Sequence, residues 1–544
     1  MRSILYLLIA LLTLSRPATA QPNVSVSPPF EEPSGGFNKV LQLKNGNTFH
    51  FHITKGEINY TLYNNEHKQV MKREIPGKSL SSERIGTATI NGIFDINGEA
   101  VIFFTQMEGR APTLYRLRFN GSTGALVEDK AISSIEKYQS GSGFAIAYGA
   151  VQPSKFVVEH DPVSGAYAVL AYHGLAGESG ERLRLMHFSA DHKELRNQFY
   201  GDPGKFKYID FIAMIVDEKR VIMASYGYNT NASGGKDSRI IISRLRDGDN
   251  DFHHELLDYT DDFKATTGVM RYNPVTDKVH FLTCTFMQTK SKFMSSKINN
   301  YYLVLMSIFD PETLLPVQIK PLEYRDMNYS YAENSKKTYQ FFGLPQDMII
   351  NSDGSTTIVS EEISLQIIRS SSGAESYRSQ LGAIGISTLD TRKGEEMGGT
   401  VFSKAQFVTA RSGAFDQAEA RKGTWQFMPF GVIAQNQHFF SFDYIGTAQG
   451  RYIMFNDYPE NQESYRKEAP KTVKDVSSTN TYGFTLGKDE KSYHVFGKPA
   501  SDKESTFFYL QASDYQKSTG TYATIIVERT GRKKQSRIAW LKFE

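Results

Sequence analysis

The sequence predicts an all-β fold, a propeller of four-stranded antiparallel blades, on three observations. Short β-branched and aromatic runs are separated by tight polar turns, the turns fall into hairpins of two alternating classes, and several middle runs are apolar on both faces. Eight blades fit the hairpin count best. Seven, with one hairpin pair elaborated as an insertion, is the alternative, and a pair of β-sandwiches is the structural runner-up, although the unbroken alternation leaves no linker to divide it.

The first element is an export signal. Arg2 gives a positive start, Ile4 to Leu14 a short apolar run, and Ala18-Thr19-Ala20 a small-residue cleavage pattern, so residues 1–20 read as a cleaved signal peptide. That run falls well short of the roughly 20 apolar residues a membrane helix needs, and no later stretch approaches it, so no transmembrane segment is expected. Export implies a periplasmic or extracellular protein of bacterial type. With one cysteine, Cys284, no disulfide can form within the chain. A chain this long can bury a core without one. The Asn-x-Ser/Thr triplets at Asn23, Asn59, Asn120, Asn231 and Asn328 are read as chance matches.

Residues 21–36, with Pro22, Pro28, Pro29 and Pro33, read as an extended leader because proline donates nothing to a ladder. A single domain over 37–544 follows. First hairpins turn near Asn45-Gly46, Asn97-Gly98, Ser164-Gly165, Glu218, Thr276, Asp353-Gly354, Asn436 and Lys488-Asp489. Second hairpins turn near Asn64-Asn65, Asn120-Gly121, Asp191-His192, Asp247-Gly248, Asp310-Pro311, Thr391-Arg392, Pro459-Glu460 and Asp514. The spacing is somewhat above the roughly 40–50 residues of four-stranded blades, and the surplus is loop. Very little helix is expected.

Val101-Ile102-Phe103-Phe104, Ile240-Ile241-Ile242 and Tyr301 to Met306 are continuously apolar, as strands stacked between two neighbouring blades must be. Strands of a membrane barrel would alternate instead. Phe37 to Leu43 and Ile538 to Phe543 are expected to pair or pack where the ring closes. The basic run Arg529 to Lys534 is a solvated hairpin turn.

Formal charge is +3, and the signal carries Arg2 and Arg16, which leaves +1 on the mature chain. Such a balance argues against a nucleic-acid partner. In a propeller the links between hairpins and between blades leave on one face and the tight turns on the other, so the longest links should crowd the working face. Among them, Tyr324-Arg325-Asp326-Met327-Asn328-Tyr329-Ser330-Tyr331 mixes aromatic planes with polar tips. Tyr324, Arg325, Tyr329 and Tyr331, with Trp425 after another long link, are the ligand-binding candidates. The alternative for each is packing between blades.

No cofactor is required. Asp247, Asp249 and Asp251 have the first spacings of a calcium loop, but Phe252 replaces its glycine and Asp258 its glutamate, which favours an acidic turn. His50 and His52 share a strand face without a third ligand. Cys284 sits in an apolar run and reads as a core residue. Glu361 and Glu362 are adjacent on a strand and point to opposite faces, which separates them as a catalytic pair. No nucleophile elbow, zinc-protease helix, phosphate loop or dinucleotide fingerprint is present. The leading function is therefore a non-enzymatic exported propeller that binds a glycan, a peptide or an envelope protein on its loop-rich face. A propeller glycoside hydrolase, or another saccharide-acting enzyme, is the first alternative, and a structural envelope component the second.

Overall fold

In a computed structural model the chain is an eight-bladed β-propeller. The structure describes residues 21–543 except 34, 55–56, 77–78, 80–87, 137–153, 175, 177–178, 202, 205, 230–237, 258–262, 288–301, 336–339, 370–374, 427–436, 448–449, 464–469 and 487–491. The export signal expected over residues 1–20 lies outside them, as do Asn231 and most of the links 229–236 and 288–299.

Blades 1 to 7 each run as four antiparallel strands from the channel outward, beginning with the inner strands Phe37–Gln42, Thr89–Ile96, Lys155–His160, Tyr208–Val216, Phe263–Asn273, Leu344–Ile350 and Asp443–Gly446. Blade 8 is composite. Its inner strand is broken into Glu504–Phe508 and Asp514–Gln516, both paired with Thr521–Thr530, and its outermost strand is Asn23–Val26 from the other end of the chain, in register with Lys533–Lys542.

The leader is thus a strand of the ring. Its prolines fall outside Asn23–Val26, and an edge strand needs donors on one side only. Beyond the strand, Ser27 N and Phe30 N still donate to the carbonyls of Ile538 and Ser536 at 2.9 and 2.8 Å. Closure by hydrogen bonds therefore uses Asn23–Val26, while the two segments expected at the junction pack: Val40 shares a buried cluster with Ile538 and Trp540. Trp540 donates to Thr48 Oγ1 across the same junction at 3.0 Å.

Each neighbouring pair of blades buries a hydrophobic cluster between them. Ile102 and Phe104 face blade 1 with Phe49 and Phe51, while Val101 and Phe103 face blade 3 with Val158 and Val169. Ile241 points to blade 3 and Ile240 and Ile242 to blade 5. This two-sided burial is what the continuous apolar runs encode.

Three expectations change. In blades 7 and 8, the turns placed at Pro459-Glu460 and Asp514 are the start of a helix, Pro459–Glu463, and of a strand; blade 7's first hairpin turns over Thr447 to Gly450. Asn436 and 488–489 lie outside the described residues. The link 364–379 is largely strand, because Thr356–Arg369 and Glu375–Leu389 extend one hairpin beyond its blade. The segment read as a loop at Tyr324 to Tyr331 is mostly helix, Arg325–Ser335. No helix among the described residues is long and apolar enough to cross a membrane.

Candidate functional site at the plugged channel

The link from blade 6 to blade 7 enters the channel. Gln406–Val408 first pairs with Ser379 to Leu381 of blade 6, the helix Asp416–Arg421 follows, and Trp425–Gln426 then pairs on the axis side of blade 2's inner strand, with Trp425 opposite Ile90. Blades 6 and 2 are opposite each other in an eight-membered ring, so the link spans the channel. Its root is pinned by Lys404, whose ammonium lies 2.5 Å from Glu361 Oε1 and 3.0 Å from Gln406 Oε1. Lys404 and Glu361 side chains are 0% and 2% exposed.

Bonds from many blades seat this plug. Phe415 N donates to Pro345 O of blade 6 at 2.8 Å, and Ile93 N of blade 2 donates to Lys422 O at 2.8 Å. Arg421 donates to Asp443 of blade 7 at 2.7 Å and lies 3.4 Å from Asp347 of blade 6. Asp347 also accepts from Arg271 of blade 5 at 2.9 Å, and Asp443 from the Tyr522 hydroxyl of blade 8 at 2.9 Å. Lys422 pairs with Glu159 of blade 3 and with Glu419. Trp425 stacks on Phe37 of blade 1 at 5.3 Å between ring centres. Burial works against the charged forms of Arg421 and Lys422, but the facing carboxylates outweigh it and raise both pKa values. The channel carboxylates Asp347, Asp443 and Glu159 are therefore engaged by cations.

A different arrangement borders the plug at the ends of the strands of blades 3 and 4. Tyr208 and Tyr228 are cross-strand partners on blade 4, their rings stacked at 5.1 Å, and Tyr226 continues the stack at 5.5 Å. Asp210, opposite Tyr226, is 9% exposed and accepts from the Tyr172 hydroxyl of blade 3 at 3.2 Å; Tyr228 bonds to it as well. Burial and the Asp210 charge push the Tyr172 and Tyr228 hydroxyls far above the usual tyrosine range, so both stay protonated donors. The Arg182 guanidinium and Lys207 ammonium lie 5.2 and 5.3 Å from the Tyr208 ring centre. Lys155, opposite Tyr172 in register, is open to water. The surrounding protein lowers its pKa while Asp210 and Glu419 pull it up, which places it between the tyrosine cluster and the plug.

The residues singled out from sequence are dispersed. The helix Arg325–Ser335 packs on the outer strands of blade 6, where Met327 sits against Gly399 and Gly385 at distances no side chain would allow. Tyr324 and Tyr331 join its small buried cluster, with Tyr331 edge-on to Phe341, while Arg325 and Tyr329 are exposed. Trp425 belongs to the plug and packs between blades 1 and 2. Asp249 is engaged by Arg246 at 3.1 Å, Asp251 accepts from Phe252 N at 2.8 Å, and Asp247 lies 3.6 Å from Arg196. Among the described residues no three metal-ligating side chains gather. His50 meets Asn38 at 3.2 Å and His52 the carbonyl of Gly35 at 2.9 Å. Cys284 is buried, and its thiol is pushed up to about 12 by desolvation.

The tyrosine cluster escaped sequence reading, yet a signal existed: Tyr208-x-Asp210 and Tyr226-x-Tyr228 have the period of two that sets residues on one strand face.

No protein-family model and no curated protein sequence matches the chain. Solved structures share its fold at a distance. The polysaccharide lyase Uly1 is 11% identical, with a TM-score of 0.39 over 84% of this chain and 90% of that one. The WD40 domain of SCAP from fission yeast is 7% identical, with a TM-score of 0.35 over 96% and 98%. A GH43 endo-arabinanase from Bacillus licheniformis is 9% identical, with a TM-score of 0.26 over 53% of this chain and all of that one.

Proposed function

We propose that this protein is an exported binding propeller that takes a glycan at the channel mouth over blades 3 and 4. One observation carries the reading: a stacked tyrosine pair, Tyr208 and Tyr228, stands beside a carboxylate oriented by tyrosine hydroxyls and beside the cations Lys155, Arg182 and Lys207. Flat apolar rings suit the faces of sugar rings, and oriented donors and acceptors suit hydroxyls. The chemistry also favours binding over turnover. The tyrosines are held protonated and so are poor bases, and Asp347, Asp443 and Glu159 are occupied by plug cations.

A saccharide-acting enzyme is the second reading, favoured by Asp416. The carboxyl of this residue, at the head of the plug helix, is open to water, yet the surrounding protein pushes it up to about 6, the range of a general acid. Incubating the protein with a panel of polysaccharides, and measuring both retention on them and release of soluble products, tests the two readings together. Retention without product, weakened by Tyr208→Ala with only a slight drop in melting temperature, is expected. Product formation abolished by Asp416→Asn would replace the binding reading with the enzymatic one.

A further inference from the structure

The geometry points to an anionic saccharide, one bearing a uronate carboxylate or a sulfate ester, as the occupant of the site over blades 3 and 4; the inference rests on the glycan-binding reading above. Its basis is how the cations there are partnered. Lys155 opens the inner strand of blade 3, Arg182 immediately precedes that blade's strand Leu183–Phe188, and Lys207 immediately precedes the inner strand of blade 4. Register aligns Lys155 with Tyr172 and Tyr172 with Leu183, so Lys155 and Arg182 stand at the same end of one blade, with Tyr208 and Tyr228 at the matching end of the next.

Among the described residues, none of these three cations is within ion-pair distance of a carboxylate. Other arginines and lysines of this propeller are: Arg116 and Arg118 pair with Glu128, Arg220 with Asp217, Arg271 with Asp347, and Arg421 with Asp443. Here Arg182 and Lys207 meet the Tyr208 ring instead, and Lys155 is open to water. Arg182 spends one donor on the carbonyl of Lys207 at 2.8 Å, and its Nε is buried without an acceptor, which leaves the guanidinium fork incompletely used. Asp210, the carboxylate of the cluster, is already engaged by Tyr172 and Tyr228.

Three cations gathered around Asp210, with Glu419 of the plug also acting on Lys155, leave an excess of positive charge that attracts an anion. An arginine fork matches a carboxylate or a sulfate through two parallel hydrogen bonds, and lysine adds a point charge. The neighbouring tyrosine faces then select an anion carried on a sugar ring over a bare ion, and a neutral glycan would leave the cations unanswered.

The test titrates polygalacturonate, dextran sulfate and unmodified dextran into the full-length mature protein at low and high salt, alongside the variants Arg182→Gln, Lys207→Gln and Tyr208→Ala. Arg532→Gln, in the exposed turn between the two middle strands of blade 8, is the control. At least one anionic polymer should bind about tenfold or more tightly than dextran, as expected for charge-assisted contacts. Its affinity should fall with salt, and should drop in all three site variants but not in the control, with melting temperatures unchanged in Arg182→Gln and Lys207→Gln and lowered only slightly in Tyr208→Ala. Anionic and neutral polymers bound equally, or polyanion binding insensitive to Arg182→Gln and Lys207→Gln, overturns the inference. If dextran alone binds and Tyr208→Ala abolishes that binding, the anionic assignment falls and the glycan reading stands. If no polysaccharide binds at the mouth, both fall.

Discussion

On the side of blades 6 and 7 the channel's charges are matched, Asp347 to Arg271 and Arg421, and Asp443 to Arg421; on the side of blades 3 and 4, Arg182 and Lys207 face the Tyr208 ring, Lys155 is open to water, and none of the three is ion-paired among the described residues. Both sectors border the same plug, so the difference is one of role. Charges withdrawn from water cost free energy unless paired, and a pair that meets its need internally holds structure together. Charges left without a carboxylate partner and open to water, as Lys155 and Lys207 are, keep their capacity for a ligand. The matched sector positions the plug, and the unmatched sector carries cations with no ion pair among the described residues.

The most damaging way to test the matched sector is at the root of the plug. Lys404→Met leaves Glu361 as a buried carboxylate whose remaining partner is the Ser441 hydroxyl at 2.9 Å, and should cost about 3–5 kcal/mol in denaturant unfolding. Lys404→Met combined with Glu361→Gln removes both charges and should recover much of that loss. If the single variant is as stable as the wild type, the plug is not held by this pair and the contrast between sectors loses its footing.

Acid tests the packing of the blades apart from these ion pairs. Desolvation pushes buried His280 down to about 4 and His50 down to about 3, the latter with a smaller push from His52 and Lys72. A depressed histidine is neutral in the fold and takes up a proton in the unfolded chain near pH 6.5. Unfolded protein therefore binds more protons between these values, so the contribution is complete above about pH 6.5 and is lost as pH falls toward 4. His280, 1% exposed, should account for about 2–3 kcal/mol of that loss. Unfolding of His280→Gln measured at pH 7 and pH 4.5 should show a smaller difference than the wild type. An identical difference would mean that His280 titrates normally.

Smaller again is the effect expected at the tip of the plug. Trp425 is partly buried and stacked on Phe37, so Trp425→Ala should cost about 2 kcal/mol, below the range for a fully buried aromatic. Ligand affinity should be little changed, because this contact lies on the side of blades 1 and 2. A large loss of affinity with full stability would return Trp425 to the binding site, where sequence reasoning had put it.

Much of the ring was legible because hairpins are local. Asn97-Gly98 and Asp353-Gly354 announce their turns through glycines with positive φ, and the Val101 to Phe104 run announces a strand buried on both faces. Blades 7 and 8 were misread where local signals are ambiguous. Pro459 can begin a turn or a helix, and the broken inner strand of blade 8 scatters its pattern over Glu504 to Gln516. The helix after Tyr324 did leave a trace, since Tyr324, Met327 and Tyr331 are spaced three and seven apart, but the aromatics drew attention as a binding surface instead. The plug left none. Asp416 to Arg421 is a short, mostly polar stretch whose partners come from strands distant in sequence, and only the closed ring brings Asp347, Asp443 and Glu159 around it. Pairing strand ends of adjacent blades was likewise needed to set Tyr172 against Asp210.

The finest distinction is between two tyrosines that each have a cation close by in sequence, Tyr329 exposed and Tyr208 half-buried. Tyr329 is 68% exposed, and Arg325, four residues before it, shares its side of the helix on blade 6; Tyr208 and Lys207 stand beside the channel. Tyr329→Ala removes a ring with little packing and should alter stability by no more than about 0.5 kcal/mol. Tyr208→Ala loses the Tyr228 stack, about 0.5–1.5 kcal/mol beyond the area it buries. The two variants should differ most in ligand retention, which falls about tenfold in Tyr208→Ala, a change of about 1.4 kcal/mol, and stays at the wild-type level in Tyr329→Ala. Composition cannot produce that asymmetry, since both tyrosines have a cation close by in sequence, Lys207 and Arg325. What separates them is that Tyr208 stands beside an oriented carboxylate and a second blade, whereas Tyr329 faces bulk water. Equal losses at the two positions would mean that exposed tyrosine alone is the recognition element, and the helix on blade 6 would then have to be counted as part of the binding surface.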